Sequence, residues 1–210
     1  GFIIGGATGA AGLGDLGTAF YETGDAGASG DPIQVSPSRN RGSISREGSF
    51  ARTVGTMAHE FGHALSLPDL YDKEYAGPED DSAGIGRWGL MGLGTLGWNG
   101  TDGPNSFSAW SLEQLGWIGE TGNDRLIEVE GDATGLPLVD RFRDGSIYRV
   151  PLQTPLQVYD QRDYLLFERR TRSATYYDRN MPGEGILVWH VSSETGNQDE
   201  FKKKVDLICA

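Results

Sequence analysis

An α+β fold is expected from this sequence, with a helical, glycine-rich first part and a β-rich antiparallel second part. Three features predict it. Apolar residues recur at spacings of three and four between Phe50 and Leu67, glycine (32 of 210 residues) is concentrated before residue 122, and five short β-prone runs follow Gly122. The expected division is residues 1–121 and residues 122–210, the second packed against the first.

Taken in order, the first 48 residues read as a short apolar strand, Phe2 to Ile4, and then a long loop rich in Gly, Ser, Asp and Pro that flanks a cleft. Gly9, Gly12 and Gly14 with Asp31 downstream imitate a dinucleotide-binding fingerprint. The helix that fingerprint requires is broken at Gly17 and Gly24, so no nucleotide cofactor is expected.

Val54, Met57, Ala58, Phe61 and Leu65 then mark one face of a helix over Phe50 to Leu67. Ser49 or Thr53 is positioned to cap it, and Pro68 to end it. Residues 77 to 103 return to turns, with GIGRWGLMGLGTLGW at their centre. A second helix is expected from Pro104 or Asn105 to Leu115, with Phe107, Trp110 and either Leu112 or Leu115 on its apolar side and Gly116 as its stop. RLIEVE, SIYRVPL, DYLLFERR, GILVWHV and KVDLICA follow, and predict an antiparallel sheet or small sandwich.

Charge removes some functions. Lys and Arg number 18 against 30 Asp and Glu, a formal charge of -12, which repels nucleic-acid backbones and anionic lipid. No apolar run approaches the roughly 18 residues of a membrane span. The single Cys, Cys209, allows no internal disulfide. GFIIGGATGA has neither a basic leader nor an initiator Met, so an excised or processed piece of a longer chain is expected.

The chemistry is concentrated in His59-Glu60-Phe61-Gly62-His63, an H-E-x-x-H pattern. Residues four apart share a helix face, so both imidazoles can aim at one ion while Glu60 faces the space beside it. Catalytic zinc takes a third protein ligand and keeps one position open. Asp69, beyond the Leu67-Pro68 turn, is the preferred third ligand, with Tyr71, Asp72 and Glu74 nearby as alternatives.

HEFGHALSLPDLYD resembles the zinc signature of the M6 metallopeptidase family, the immune inhibitor A group of secreted bacterial zincins. That signature extends to H-E-x-x-H-x-x-G-x-x-D, which carries the two histidine ligands onto His59 and His63, the general base onto Glu60 and the carboxylate ligand onto Asp69. The family glycine falls on Ser66, a departure at a position that often takes positive φ. WGLMG resembles the segment holding the methionine turn, with Met91 as an apolar floor near the ion. PNSFSAWSLEQLGW, DYLLFERR and PGEGILVWHV extend the likeness to about residues 50–191.

The resemblance implies a zincin-like catalytic core with an active-site helix and a Met-turn, lacking most of its upstream sheet. It also implies a secreted zinc endopeptidase acting on protein or peptide substrates through a zinc-bound water and Glu60. Tyr71 and Tyr159 are candidate donors to the oxyanion. His190 reads as a histidine of the β part, and Trp88, Trp98, Trp110 and Trp117 as core or cleft wall. Calcium is a second candidate ion, because Asp69, Asp72, Glu74, Glu79, Asp80 and Asp81 form a dense acidic stretch. The rival functions are a catalytically inactive metal-binding interaction or adhesion domain and a hydrolase of non-peptide bonds.

Overall fold

The computed structural model describes residues 21–26, 30–35, 50–72, 82–118, 125–143, 145–152, 163–193, 197 and 203–208. The expected strand at Phe2 to Ile4, the glycine fingerprint before residue 15, the acidic residues Glu74, Glu79, Asp80 and Asp81, Tyr159 and Cys209 lie outside them.

Strands β1 (Tyr21–Ala26) and β2 (Pro32–Val35) pair antiparallel, Tyr21 opposite Val35 and Ala26 opposite Pro32. This corrects the reading of that stretch as loop. Gly30 turns there at φ 85°, and the residues on either side of the turn include β-formers such as Tyr21, Ile33 and Val35.

Helix α1 runs Phe50–Ala64, three residues shorter than expected. Its end is set before Pro68 is reached. Ser66 takes φ 72°, its N–H donates to the His63 carbonyl at 2.9 Å, and the Leu67 N–H donates to the Gly62 carbonyl at 3.1 Å. Those two bonds are a Schellman closure, with serine where glycine is usual. Two single 3-10 turns follow, Gly86–Trp88 and Gly94–Leu96. The second lies directly on α1, since a Cβ on Gly55 would come within 1.8 Å of the Thr95 carbonyl oxygen.

Helix α2 is Ala109–Leu115 and starts later than Pro104 or Asn105. Ser108 caps it, accepting from the Ser111 N–H at 3.2 Å, and Gly116 ends it in the left-handed region at φ 69°. A side-chain cap outweighed the proline signal, because an orphan N–H at a buried helix start needs an acceptor.

All five expected strands form: β3 (Arg125–Glu128), β4 (Ser146–Pro151), β5 (Tyr164–Arg170), β6 (Gly185–Val191) and β7 (Val205–Ile208). They make one sheet in the order β3-β4-β5-β6-β7. Three of the pairings are antiparallel and β3 runs parallel to β4, with Leu126 opposite Ile147. The long connection over residues 129–145 has room for the crossover that a parallel pair needs.

The apolar core is shared. Leu67, Leu70, Ile85, Met91, Ala109 and Trp110 pack with Ile147, Tyr164, Leu166, Trp189, Val191 and Val205 from the sheet, and α2 contacts β5 and β6. Along β5 the inward residues change from apolar Tyr164 and Leu166 to Glu168 and Arg170. Glu168 and Arg170 are fully buried. Glu168 accepts from Trp189 Nε1 at 2.9 Å and faces Arg141 Nε at 3.1 Å, an ion contact without hydrogen-bond alignment. Arg141 reaches across to the first part, donating from Nη2 to Ser106 Oγ at 2.9 Å and to the Phe107 carbonyl at 2.7 Å. Burial pushes its guanidinium down to about 10, a shift that Glu168 opposes.

A second polar tie joins α2 to the sheet. Tyr164 Oη donates to Glu113 Oε2 at 2.5 Å, and the Arg149 guanidinium lies over the Tyr164 ring at 4.1 Å. Burial and the adjacent Glu113 push the Tyr164 hydroxyl above the usual tyrosine range.

Candidate metal centre

Helix α1 places His59 and His63 one turn apart, with ring centroids separated by 4.8 Å and ring planes at 85°. His59 is buried and His63 half-buried. Each ring is held by a backbone carbonyl on its far side: His59 Nδ1 lies 2.8 Å from the Leu90 oxygen, and His63 Nδ1 lies 2.8 Å from the Leu67 oxygen.

A carbonyl can only accept, so both Nδ1 atoms carry hydrogen and both Nε2 atoms are left to point elsewhere. They point at one oxygen. Asp69 Oδ1 is 3.0 Å from His59 Nε2 and 3.2 Å from His63 Nε2, and Asp69 is itself buried.

Three acceptor atoms converging on one point call for a shared cation. The three ligand atoms lie within 4.8 Å of one another. Tetrahedral zinc, with bonds of about 2.0–2.2 Å, sets its ligand atoms about 3.3 Å apart. The two imidazole-to-carboxylate separations are within a few tenths of that spacing. Two neutral imidazoles and one carboxylate, with an outer acceptor on each ring, are also the donor set of a zinc site. A triad able to coordinate a metal ion is therefore present.

The same geometry raises the pKa of His63 above its ordinary value, first through the hydrogen bond to Asp69. Desolvation works against that shift, while the Leu67 carbonyl and the charges of Asp69 and Glu60 add to it. Proton and metal thus compete for the same lone pair.

Glu60 follows His59 on the helix and is partly exposed. Met91 is fully buried, and its thioether packs on the helix where a Cβ on Gly62 would lie 2.4 Å from Sδ. The Met91 carbonyl accepts from the Leu70 N–H at 2.8 Å, so residues 90 and 91 serve both His59 and the segment after Asp69.

Of the alternative ligands, Tyr71 is half-buried with its ring centroid 6.4 Å from that of His59, and Asp72 is buried with its N–H on the Ser82 carbonyl at 3.0 Å. Among the described residues, the cluster of His, Asp and Glu ligand atoms does not include Asp72. His190 sits in β6 opposite Leu165 and Asp206, its Nε2 3.4 Å from Asp163 Oδ2, and is likewise outside that cluster. Trp98 and Trp110 are buried, Trp88 stacks edge-on against Trp98 at 4.9 Å, and Trp117 is 41% exposed against Phe107. No described helix is long and apolar enough to cross a membrane.

The carbonyls of Leu67 and Leu90 went unread in the sequence, because backbone acceptors leave no residue signature. Only the expected position of Met91, near the ion, hinted at the second.

A family model for the catalytic domain of the immune inhibitor A peptidases, M6, matches residues 47–121. Over 65 residues the chain is 39% identical to the pre-pro-metalloprotease PrtV of Vibrio cholerae serotype O1, in strains M66-2 and ATCC 39315, covering 30% of this chain and 6% of that protein. Over 63 residues it is 43% identical to immune inhibitor A of Bacillus thuringiensis subsp. alesti, covering 29% of this chain and 8% of the relative. The matched segments are thus a small part of those proteins. No solved structure matches. The triad lies inside the matched region, and an M6 peptidase-like catalytic domain is present in this chain.

Proposed function

We propose that this chain carries the catalytic centre of a zinc-dependent endopeptidase, with His59, His63 and Asp69 as the ligands and Glu60 as the general base. The observation that carries the proposal is the convergence of both Nε2 atoms on Asp69 Oδ1, each ring being locked from behind by a carbonyl. When bound, zinc supplies Lewis-acid polarisation of a carbonyl and acidifies a coordinated water.

The protein's own groups do the rest. Glu60 takes the proton of the attacking water as the new C–O bond forms, and delivers it to the departing amine as the C–N bond breaks. Tyr71 is the described candidate donor to the oxyanion. Met91, packed on Gly62, fills the role of the Met-turn by keeping an apolar floor under α1. In this reading residues 1–121 form the catalytic region and residues 122–210 a β-rich region packed against it, which the shared core supports.

The substrates proposed are proteins or peptides, in an extracellular setting, without nucleic acid and without membrane insertion. The acidic composition agrees with that setting. The test is casein hydrolysis by the full chain, abolished by a chelator and restored by zinc. Glu60→Ala should keep its zinc and lose about 10²–10⁴-fold in rate. A chain that binds zinc but cleaves no protein would favour the metal-binding interaction domain instead.

A further inference from the structure

Leu70, the residue after Asp69, is fully buried and held at both of its backbone groups. Its N–H donates to the Met91 carbonyl at 2.8 Å, and its carbonyl accepts from the Ile85 N–H at 3.0 Å. The second partner of that carbonyl comes from far along the chain: Asn197 Nδ2 donates to it at 3.3 Å.

Asn197 is itself fully buried and locked. Its Oδ1 accepts from the Val205 N–H at 2.9 Å and its Nδ2 donates to the Val205 carbonyl at 2.6 Å, so the side chain pairs with β7 as a neighbouring strand would. Only one amide orientation serves these three partners, because the Val205 N–H can only donate and the two carbonyls can only accept.

We infer that Asn197 is a positioning residue for the metal centre: clamped to β7, it fixes the Leu70 carbonyl and with it the backbone that aims the Asp69 carboxylate at His59 and His63. The inference rests on the zinc reading above. It gives the C-terminal strands a part in metal affinity, although none of the three ligands lies there. An outer partner that holds a ligand in place changes metal affinity when it is removed, typically by ten- to a hundredfold. A residue that only fastened β7 would change stability alone.

The experiment compares wild type, Asn197→Ala and Val205→Ala as full-length chains, measuring zinc affinity by competition with a chromogenic chelator and Tm without metal. Val205 is buried in the same core as Leu70 and has no side-chain amide to donate to the Leu70 carbonyl, so Val205→Ala reports the loss of packing alone. Asn197→Ala is expected to weaken zinc binding about tenfold or more, and Val205→Ala to leave it within about twofold at a comparable loss of Tm. Equal zinc affinity in wild type and Asn197→Ala, or equal losses in both variants, overturns the inference. Wild type that binds no zinc overturns the zinc reading itself.

Hydrogen exchange on wild type decides the matter if Asn197→Ala does not fold. Zinc should slow exchange of the Val205 amide, which donates to Asn197, more than that of Val150 in β4. An equal effect at both amides counts against the clamp.

Discussion

The N–H of Ser66 closes onto the carbonyl of His63 at 2.9 Å while Ser66 holds φ 72°, so the turn that ends α1 and the second histidine are one piece of backbone. The same turn presents the Leu67 carbonyl to His63 Nδ1 and sends the chain back toward Asp69.

Ser66→Gly should therefore stabilise the protein. Left-handed backbone costs an L-residue about 1–2 kcal/mol, and the added freedom of glycine in the unfolded chain returns about 0.4–1 kcal/mol of that. Urea denaturation should show a gain of about 0.5–1 kcal/mol. Ser66→Val should instead lose stability and weaken zinc binding, since a β-branched residue resists positive φ and the Leu67 carbonyl would move. If valine is tolerated without cost, the turn is not under the constraint described.

Two helix glycines should respond differently to alanine. At Gly62 the obstruction is Met91 Sδ, the flexible end of a side chain, whereas at Gly55 it is the backbone carbonyl of Thr95. Gly62→Ala should cost about 1–3 kcal/mol as overpacking, partly offset by about 1 kcal/mol of helix preference. Gly55→Ala should cost more. In a double-mutant cycle, Met91→Ala should relieve Gly62→Ala but not Gly55→Ala.

The metal contribution to stability should grow with pH. The folded-state pKa of His63 is raised above 6.5. The protonated pair with Asp69 thus stabilises the zinc-free protein fully below 6.5, and that contribution is lost as pH rises through the raised value. Zinc needs the neutral ring. The Tm difference between zinc-loaded and zinc-free protein should rise as pH climbs from below 6.5 through the raised folded-state value. A flat difference would remove His63 from the ligand set.

Arg141 should be a costly loss in the polar interior. Arg141→Ala removes the nearer of the two guanidiniums that face buried Glu168, leaving Arg170 Nη1 at 4.0 Å, and removes the bonds to Ser106 and Phe107, a penalty of about 3–5 kcal/mol. Glu168→Gln in the Arg141→Met background should recover part of it, because the neutral amide needs no cation and Arg170 keeps Asp178 at 3.5 Å. Chemical denaturation of the three proteins reads this directly.

The legible parts of the sequence were those written in periodicity and residue type. Helical spacing from Val54 to Leu65 and the β-prone composition of DYLLFERR identified their elements, and the HEFGH spacing with Asp69 named the three residues that the fold brings together. Backbone geometry was harder to read. The end of α1 depends on a serine in a glycine conformation, and α2 begins at a cap four residues beyond Pro104. The parallel pairing of β3 depends on a connection rather than on the strand, and Asn197 belongs to the ligand segment only through a contact 127 residues away.

Metal content is the most direct test of the central claim. Purified full-length protein, dialysed and analysed for metal by elemental mass spectrometry, should hold one zinc per chain, and His59→Ala and Asp69→Ala should each hold little or none. Wild type without stoichiometric zinc, or either variant retaining it at wild-type affinity, would contradict the account.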